Sequence, residues 1–124
     1  MINDKVYQAI FDEIRPYLSI AWDKVVIYLE YGDASYSISF YVKKGGSYVK
    51  CYDLEGVSDD NLYKSFKRID RAVAEQRKAI IGDKWTNMTM IVEQSGKVRV
   101  DYDYTDLTQD AYQYSKKWKK KYLV

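Results

Sequence analysis

The stretch Trp85–Leu107, WTNMTMIVEQSGKVRVDYDYTDL, constrains the fold more than any other part of this chain. Met88, Met90 and Val92 alternate with Asn87, Thr89 and Ile91. Beyond Gln94-Ser95-Gly96, Val98, Val100, Tyr102 and Tyr104 alternate with Lys97, Arg99, Asp101 and Asp103. Successive side chains of a strand point to opposite faces, so period-two alternation around a short glycine turn predicts an antiparallel hairpin. One face is apolar and belongs on a core. The second strand's other face, with its charges, is expected to meet solvent.

The remaining segments supply partners for that hairpin. Ile2, Val6, Ile10, Ile14 and Tyr17 recur at three- and four-residue spacing, predicting a helix from Ile2 to about Leu18 capped by Asn3 or Asp4. Pro16 should end or bend it. Trp22–Tyr31 is β-branched and aromatic, and apolar on both faces, as an interior strand should be. Ser35–Val42 predicts a second strand and Ser47–Tyr52 a third, across a Lys43-Lys44-Gly45-Gly46 turn. Asp53–Gly56 is an acidic linker. Ser58, followed by Asp59 and Asp60, opens a long helix whose stripe is Leu62, Phe66, Ile69, Val73 and Ile80, closed at Ile81-Gly82. A last helix places Ala111, Tyr114, Trp118 and Tyr122 on one face, with Trp118 and Tyr122 docked on the sheet. The order α-β-β-β-α-β-β-α predicts a single α+β domain over residues 1–124, an antiparallel sheet of about five strands with helices packed on it.

Charge and chemistry narrow the function classes. The chain has no His, which removes the commonest general base and soft metal ligand. The single Cys51 can form no internal disulfide, fits a reducing cytoplasm, and is expected to be a packed thiol. Met1-Ile2-Asn3-Asp4 has neither the basic start nor the apolar run of a secretory signal, and no apolar run is long enough to span a bilayer. A cytoplasmic location without membrane contact is therefore expected. Lys116, Lys117, Lys119, Lys120 and Lys121 concentrate basic charge at the end of the chain, leaving residues 1–115 with 15 Lys+Arg against 18 Asp+Glu. That is not the basic face of a nucleic-acid binder.

Three surfaces are candidates for function. Asp101 and Asp103 share a strand face and, with Asp106, could in principle hold a hard divalent cation, the basis for an alternative reading as a metal-dependent enzyme. The same acids, together with Asp53, Glu55, Asp59 and Asp60, could instead steer a basic protein partner. Tyr52 and Tyr63, with Tyr36, Tyr41 and Tyr48, supply side chains of the kind that anchor interfaces. The terminal lysines, interleaved with Trp118 and Tyr122, support a further alternative, a small nucleic-acid-binding module.

Trp85-Thr86, Gly96-Lys97-Val98, Asp101-Tyr102-Asp103-Tyr104 with Asp106-Leu107, and Trp118-Lys119-Lys120-Lys121-Tyr122-Leu123, in this order, resemble the YezG-like (EsaG-like) antitoxin family of Gram-positive bacteria. Trp22-Asp23-Lys24-Val25, entering a strand after a helix, is similar too. The resemblance implies an immunity protein without catalytic residues or cofactor. Its partner would be the nuclease domain of a polymorphic toxin exported by type VII secretion, with no direct contact to nucleic acid. It maps motif positions onto Trp85, Asp101, Tyr102, Asp103, Tyr104, Trp118 and Tyr122, most of which are expected to serve the fold. Self-association of the free chain is expected to be weak at most.

Overall fold

A computed structural model describes residues 3–19 and 21–124. Its elements run α1 (Asp4–Ile14), β1 (Lys24–Tyr31), β2 (Tyr36–Lys44), β3 (Ser47–Lys50), α2 (Asp59–Lys78), β4 (Asn87–Glu93), β5 (Val98–Asp103) and α3 (Ala111–Tyr122), with 3₁₀ turns at Arg15–Tyr17 and Cys51–Asp53. The strands form one antiparallel sheet of five in the order β3-β2-β1-β4-β5, which matches the α+β class and element order expected from the sequence.

The β4–β5 hairpin pairs Val92 with Val98 and Met88 with Tyr102, and Gly96 takes φ +98°, a value that only glycine adopts without strain. Side chains on one sheet face, among them Val25, Ile27, Leu29, Phe40, Val42, Met88 and Met90, form the main core. Val6, Ile10 and Ile14 of α1 and Leu62, Phe66, Ile69 and Val73 of α2 cover it. The opposite face carries a smaller core in which Val26 packs with Trp118 and Tyr122 of α3. The sheet is thus sandwiched, and β1 at its centre is apolar on both sides because both sides are covered.

Capping fixes the helix starts. Asn3 Oδ1 accepts from Val6 N at 3.1 Å, Ser58 Oγ from Asn61 N at 3.1 Å, and Asp110 Oδ1 from Gln113 N at 3.4 Å. Pro16 ends α1 in a 3₁₀ turn, and Tyr17 there reaches across to Asn61 O and Ser65 Oγ of α2. Ile2, placed on the α1 stripe by the sequence, lies outside the described residues.

Several details differ from the sequence expectation: β2 runs on through Lys43 and Lys44, placed in the turn by the sequence, and others differ for local reasons. Trp22 precedes β1 and packs on Phe11 rather than entering the strand. β3 stops at Lys50 because Cys51 drops fully into the core, leaving Tyr52 exposed. α2 stops at Lys78; Ala79 caps it, and Ile81 stands almost wholly exposed. Val98 and Tyr104, assigned to the apolar face, are each about half exposed, since both fall at the ends of the hairpin.

The larger correction concerns the face with Asp101 and Asp103. Lys97 and Arg99 on it are exposed as expected, but Asp101 and Asp103 are only partly so, because α3 lies over them. Tyr122 Oη donates to Asp101 Oδ2 at 2.7 Å and Tyr114 Oη to Asp103 Oδ2 at 2.8 Å. Trp118 Nε1 donates to Thr89 Oγ1 at 2.9 Å, and the Asn87 side-chain amide lies 3.0 Å from Tyr114 Oη. The polar residues that alternate along the hairpin are the docking partners of a helix carrying tyrosine and tryptophan.

Candidate functional site: a tyrosine and carboxylate surface beside β2

The acids singled out in the sequence fall into two groups with different surroundings. Asp101 also accepts from the Arg99 guanidinium at 2.9 Å. Asp103 accepts from the backbone and hydroxyl of Thr105, and Asp106 likewise from Thr108, in local turns. Partial burial opposes ionisation of Asp101, yet the Tyr122 hydroxyl and Arg99 outweigh it and hold its carboxyl below the ordinary range. Asp103 is depressed in the same way, burial being overcome by Thr105 and Tyr114. Asp106 is depressed by its bonds from Thr108. Among the described residues no three Asp, Glu or Cys side chains gather as a ligand set for a metal ion. These three carboxylates are structural partners of α3 and its approach loop.

The second group lies elsewhere. Tyr36, Ser37 and Ile38 of β2, Tyr52 of the turn after β3, and Asp59, Tyr63 and Phe66 of α2 line an open depression of about 660 Å³. Tyr36, Tyr52 and Tyr63 are 37%, 50% and 58% exposed, three of the five exposed tyrosines among the described residues, with Tyr104 and Tyr112 elsewhere. Asp53 and Glu55 follow Tyr52 on the exposed segment leading to α2. Asp53, Glu55 and Asp59 have no ion pair or side-chain hydrogen bond among the described residues, whereas Asp60 pairs with Lys64 at 3.1 Å. Of the expected anchors, the fold therefore brings together Tyr52, Tyr63 and Asp59, with Asp53, Glu55 and Asp60 flanking them. It also adds Tyr36. Tyr41 and Tyr48 turn to the other face and pack with α3.

The tyrosines divide along the same line. Tyr28 donates to Glu30 at 2.7 Å and Tyr31 to Asp70 at 2.8 Å, so four hydroxyl–carboxylate bonds, with those of Tyr114 and Tyr122, tie the structure internally. Burial first, then the neighbouring carboxylate, pushes all four phenols upward, Tyr122 to about 12. The sign of the pH dependence follows on both sides. Carboxyls held low in the fold stabilise it above their unfolded range near pH 4, and that contribution is lost as pH falls through the folded values. Phenols held high stabilise it below about pH 10, and that contribution is lost as pH rises towards their folded values. Urea midpoints should accordingly fall on either side of a neutral plateau. Asp103→Asn should flatten the acid side, and an acid slope unchanged in that variant would remove Asp103 from the account.

Cys51 is fully buried, and burial pushes its thiol up, as for a packing residue. No helix among the described residues is long and apolar enough to cross a membrane. What this part of the accessible surface offers is exposed tyrosine, the residue type that anchors interfaces, with Asp53, Glu55 and Asp59 beside it.

Comparison with known proteins gives the chain its relatives. The family model described as "Immunity protein YezG-like" matches residues 3–124. Immunity protein YezG of Bacillus subtilis (strain 168) is 26% identical over 110 residues, covering 82% of this chain and 73% of the relative. Immunity protein YezG of Bacillus spizizenii is 26% identical over 114 residues, covering 82% and 68%. With a match that takes in every element from the α1 cap to the end of α3, the chain belongs to the YezG-like immunity protein family.

Proposed function

We propose that this protein is an antitoxin that binds and neutralises the nuclease domain of a polymorphic toxin exported by type VII secretion, acting in the cytoplasm of the producing cell. The observation that carries the reading is the family match over 3–124, on a chain whose exposed aromatic surface is built for contact. A nuclease needs a basic surface to hold its phosphate-rich substrate, and such a surface is complementary to Asp53, Glu55, Asp59 and Asp60. Tyr52 and Tyr63 are the proposed anchors within it. Neutralisation is by binding, without a catalytic step or cofactor.

Capture of the tagged protein from its native cytoplasm, with mass spectrometry of co-purifying chains, tests the reading. A large exported polypeptide whose C-terminal domain cuts nucleic acid, and loses that activity stoichiometrically on adding this protein, is the expected result. A captured toxin whose nuclease activity is indifferent to the protein would overturn it. Electrostatic steering gives a second expectation: the association rate should fall by roughly tenfold or more between low and physiological salt. Asp53→Asn with Asp59→Asn should weaken that dependence while leaving dissociation nearly unchanged. A salt-independent association rate would remove the acids from recognition.

A further inference from the structure

The backbone beside the tyrosine surface is itself unpaired, and this bears on how the toxin named in the proposed function would bind. Tyr31 N–H donates to Thr86 O at 2.8 Å, on the β4 side. Backbone groups alternate between the two neighbours along an antiparallel strand. Tyr36, which faces Tyr31 across β1–β2, therefore turns its own N–H and C=O away from β1. The same alternation turns Ile38, Phe40, Val42 and Lys44 outward. Val42 and Lys44 meet Val49 and Ser47 of β3, and Phe40 packs in the core with the buried Cys51. Tyr36 and Ile38 face no strand among the described residues, because the chain leaves β2 when Cys51 turns into the core.

Open edges of this kind are usually blunted by Lys, Pro or a bulge. Residues 36–38 read Tyr-Ser-Ile and carry none of these. Both Tyr36 and Ile38 also line the depression shared with Tyr52, Tyr63, Phe66 and Asp59. We infer that a short extended segment of the toxin, bearing Lys or Arg next to an apolar residue, adds to the outer edge of β2 at Tyr36–Ile38 and seats the apolar side chain among Tyr36, Tyr52 and Tyr63. Main-chain hydrogen bonds then supply affinity and the side-chain depression supplies selectivity, as in other strand additions. Charge chooses the occupant. A second copy of this chain, docked edge to edge about a two-fold axis, would set Asp53, Glu55 and Asp59 against their own equivalents. A basic segment meets them with opposite sign.

The test is amide exchange of the ¹⁵N-labelled full chain, alone and saturated with the purified toxin domain from the capture experiment. Exchange at Tyr36 and Ile38 should slow by roughly tenfold or more on binding. Tyr36→Pro, which removes an outward N–H, should raise the half-neutralising concentration about five- to tenfold above that of Tyr36→Ala, the loss of one hydrogen bond. Neutralisation without added protection at Tyr36 and Ile38 overturns the strand addition and leaves the antitoxin reading standing. Failure of the toxin to bind at all overturns both. Protection of these amides already in the free chain, with a dimer in sedimentation velocity, assigns the edge to a second copy and overturns the inference.

Discussion

Trp118→Ala should lower stability by about 3–5 kcal/mol, the range for removing a large buried aromatic, and should release α3 from the sheet. Trp118 is 7% exposed. Its ring centroid lies 5.0, 5.5 and 5.6 Å from those of Tyr28, Tyr122 and Tyr41, so the side chain is the centre of the α3-side core. Its N–H also satisfies the buried Thr89 hydroxyl. Two readouts check this: a drop in the urea midpoint, and faster amide exchange along α3. Trp118→Phe separates the ring from the hydrogen bond. It should still cost about 1–3 kcal/mol, because Thr89 is left unsatisfied, and Thr89→Val in that background should recover part of the loss. Trp85 is the internal control. It is fully buried against Tyr31 and Tyr102, but its Nε1 has no hydrogen-bond partner among the described residues. Trp85→Phe therefore sacrifices volume and part of the Arg77 guanidinium's contact with the ring at 5.3 Å, but no hydrogen bond, and should cost less than Trp118→Phe. The reverse order would mean that the indole–threonine bond contributes little to holding α3.

How far this arrangement could be read from the chain depends on the range of the interactions that make it. The hairpin, the stripes of α1 and α2 and the Ser58 cap are local, periodic signals, and the structure follows them to within a few residues. β1, apolar on both faces, pointed correctly to an interior strand. The face of the Asp101 and Asp103 pair did not follow from pattern. Alternation separates two faces but cannot say whether a polar face meets water or a helix, and only the tyrosines of α3, eleven to twenty-one positions away, settle it. The same uncertainty made three structural carboxylates look like cation ligands.

The accessible surface was legible in type and not in place. Sequence alone marked Tyr52 and Tyr63, with Tyr36, Tyr41 and Tyr48 beside them, but not which of the five are exposed, because a tyrosine suits a half-buried strand and an interface alike. Topology divides them. Tyr41 and Tyr48 lie towards α3, while Tyr36, Tyr52 and Tyr63 converge from a strand, a 3₁₀ turn and a helix that are distant in sequence. The open edge at Tyr36 and Ile38 was missed because it depends on where β3 ends. The signal available was faint: Cys51 is an apolar residue at the close of a short, polar strand, and burying it ends the pairing.

Replacing Tyr52 and Tyr63 together by Ala should weaken toxin neutralisation by two to three orders of magnitude while leaving the fold intact. Anchors near the centre of an interface typically cost about 2 kcal/mol or more each when truncated, roughly 30-fold in affinity. Two neighbours sharing one depression are not strictly additive, which sets the lower end of the range. In the free protein both rings are at least half exposed. Among the described residues they make no side-chain hydrogen bond, and the Lys67 ammonium lies 5.8 Å from the Tyr63 ring centre, so the urea midpoint should move by no more than about 1 kcal/mol in stability. The contrast with Trp118→Ala is the useful comparison. That variant should lose stability and keep Tyr52 and Tyr63 in place, since α3 packs on the sheet face away from α2. At a temperature where it remains folded, it should still neutralise. Neutralisation lost in Trp118→Ala but retained in the Tyr52/Tyr63 variant would transfer the binding face from the β2 side of the molecule to α3, and would make the lysines of that helix the groups to examine next.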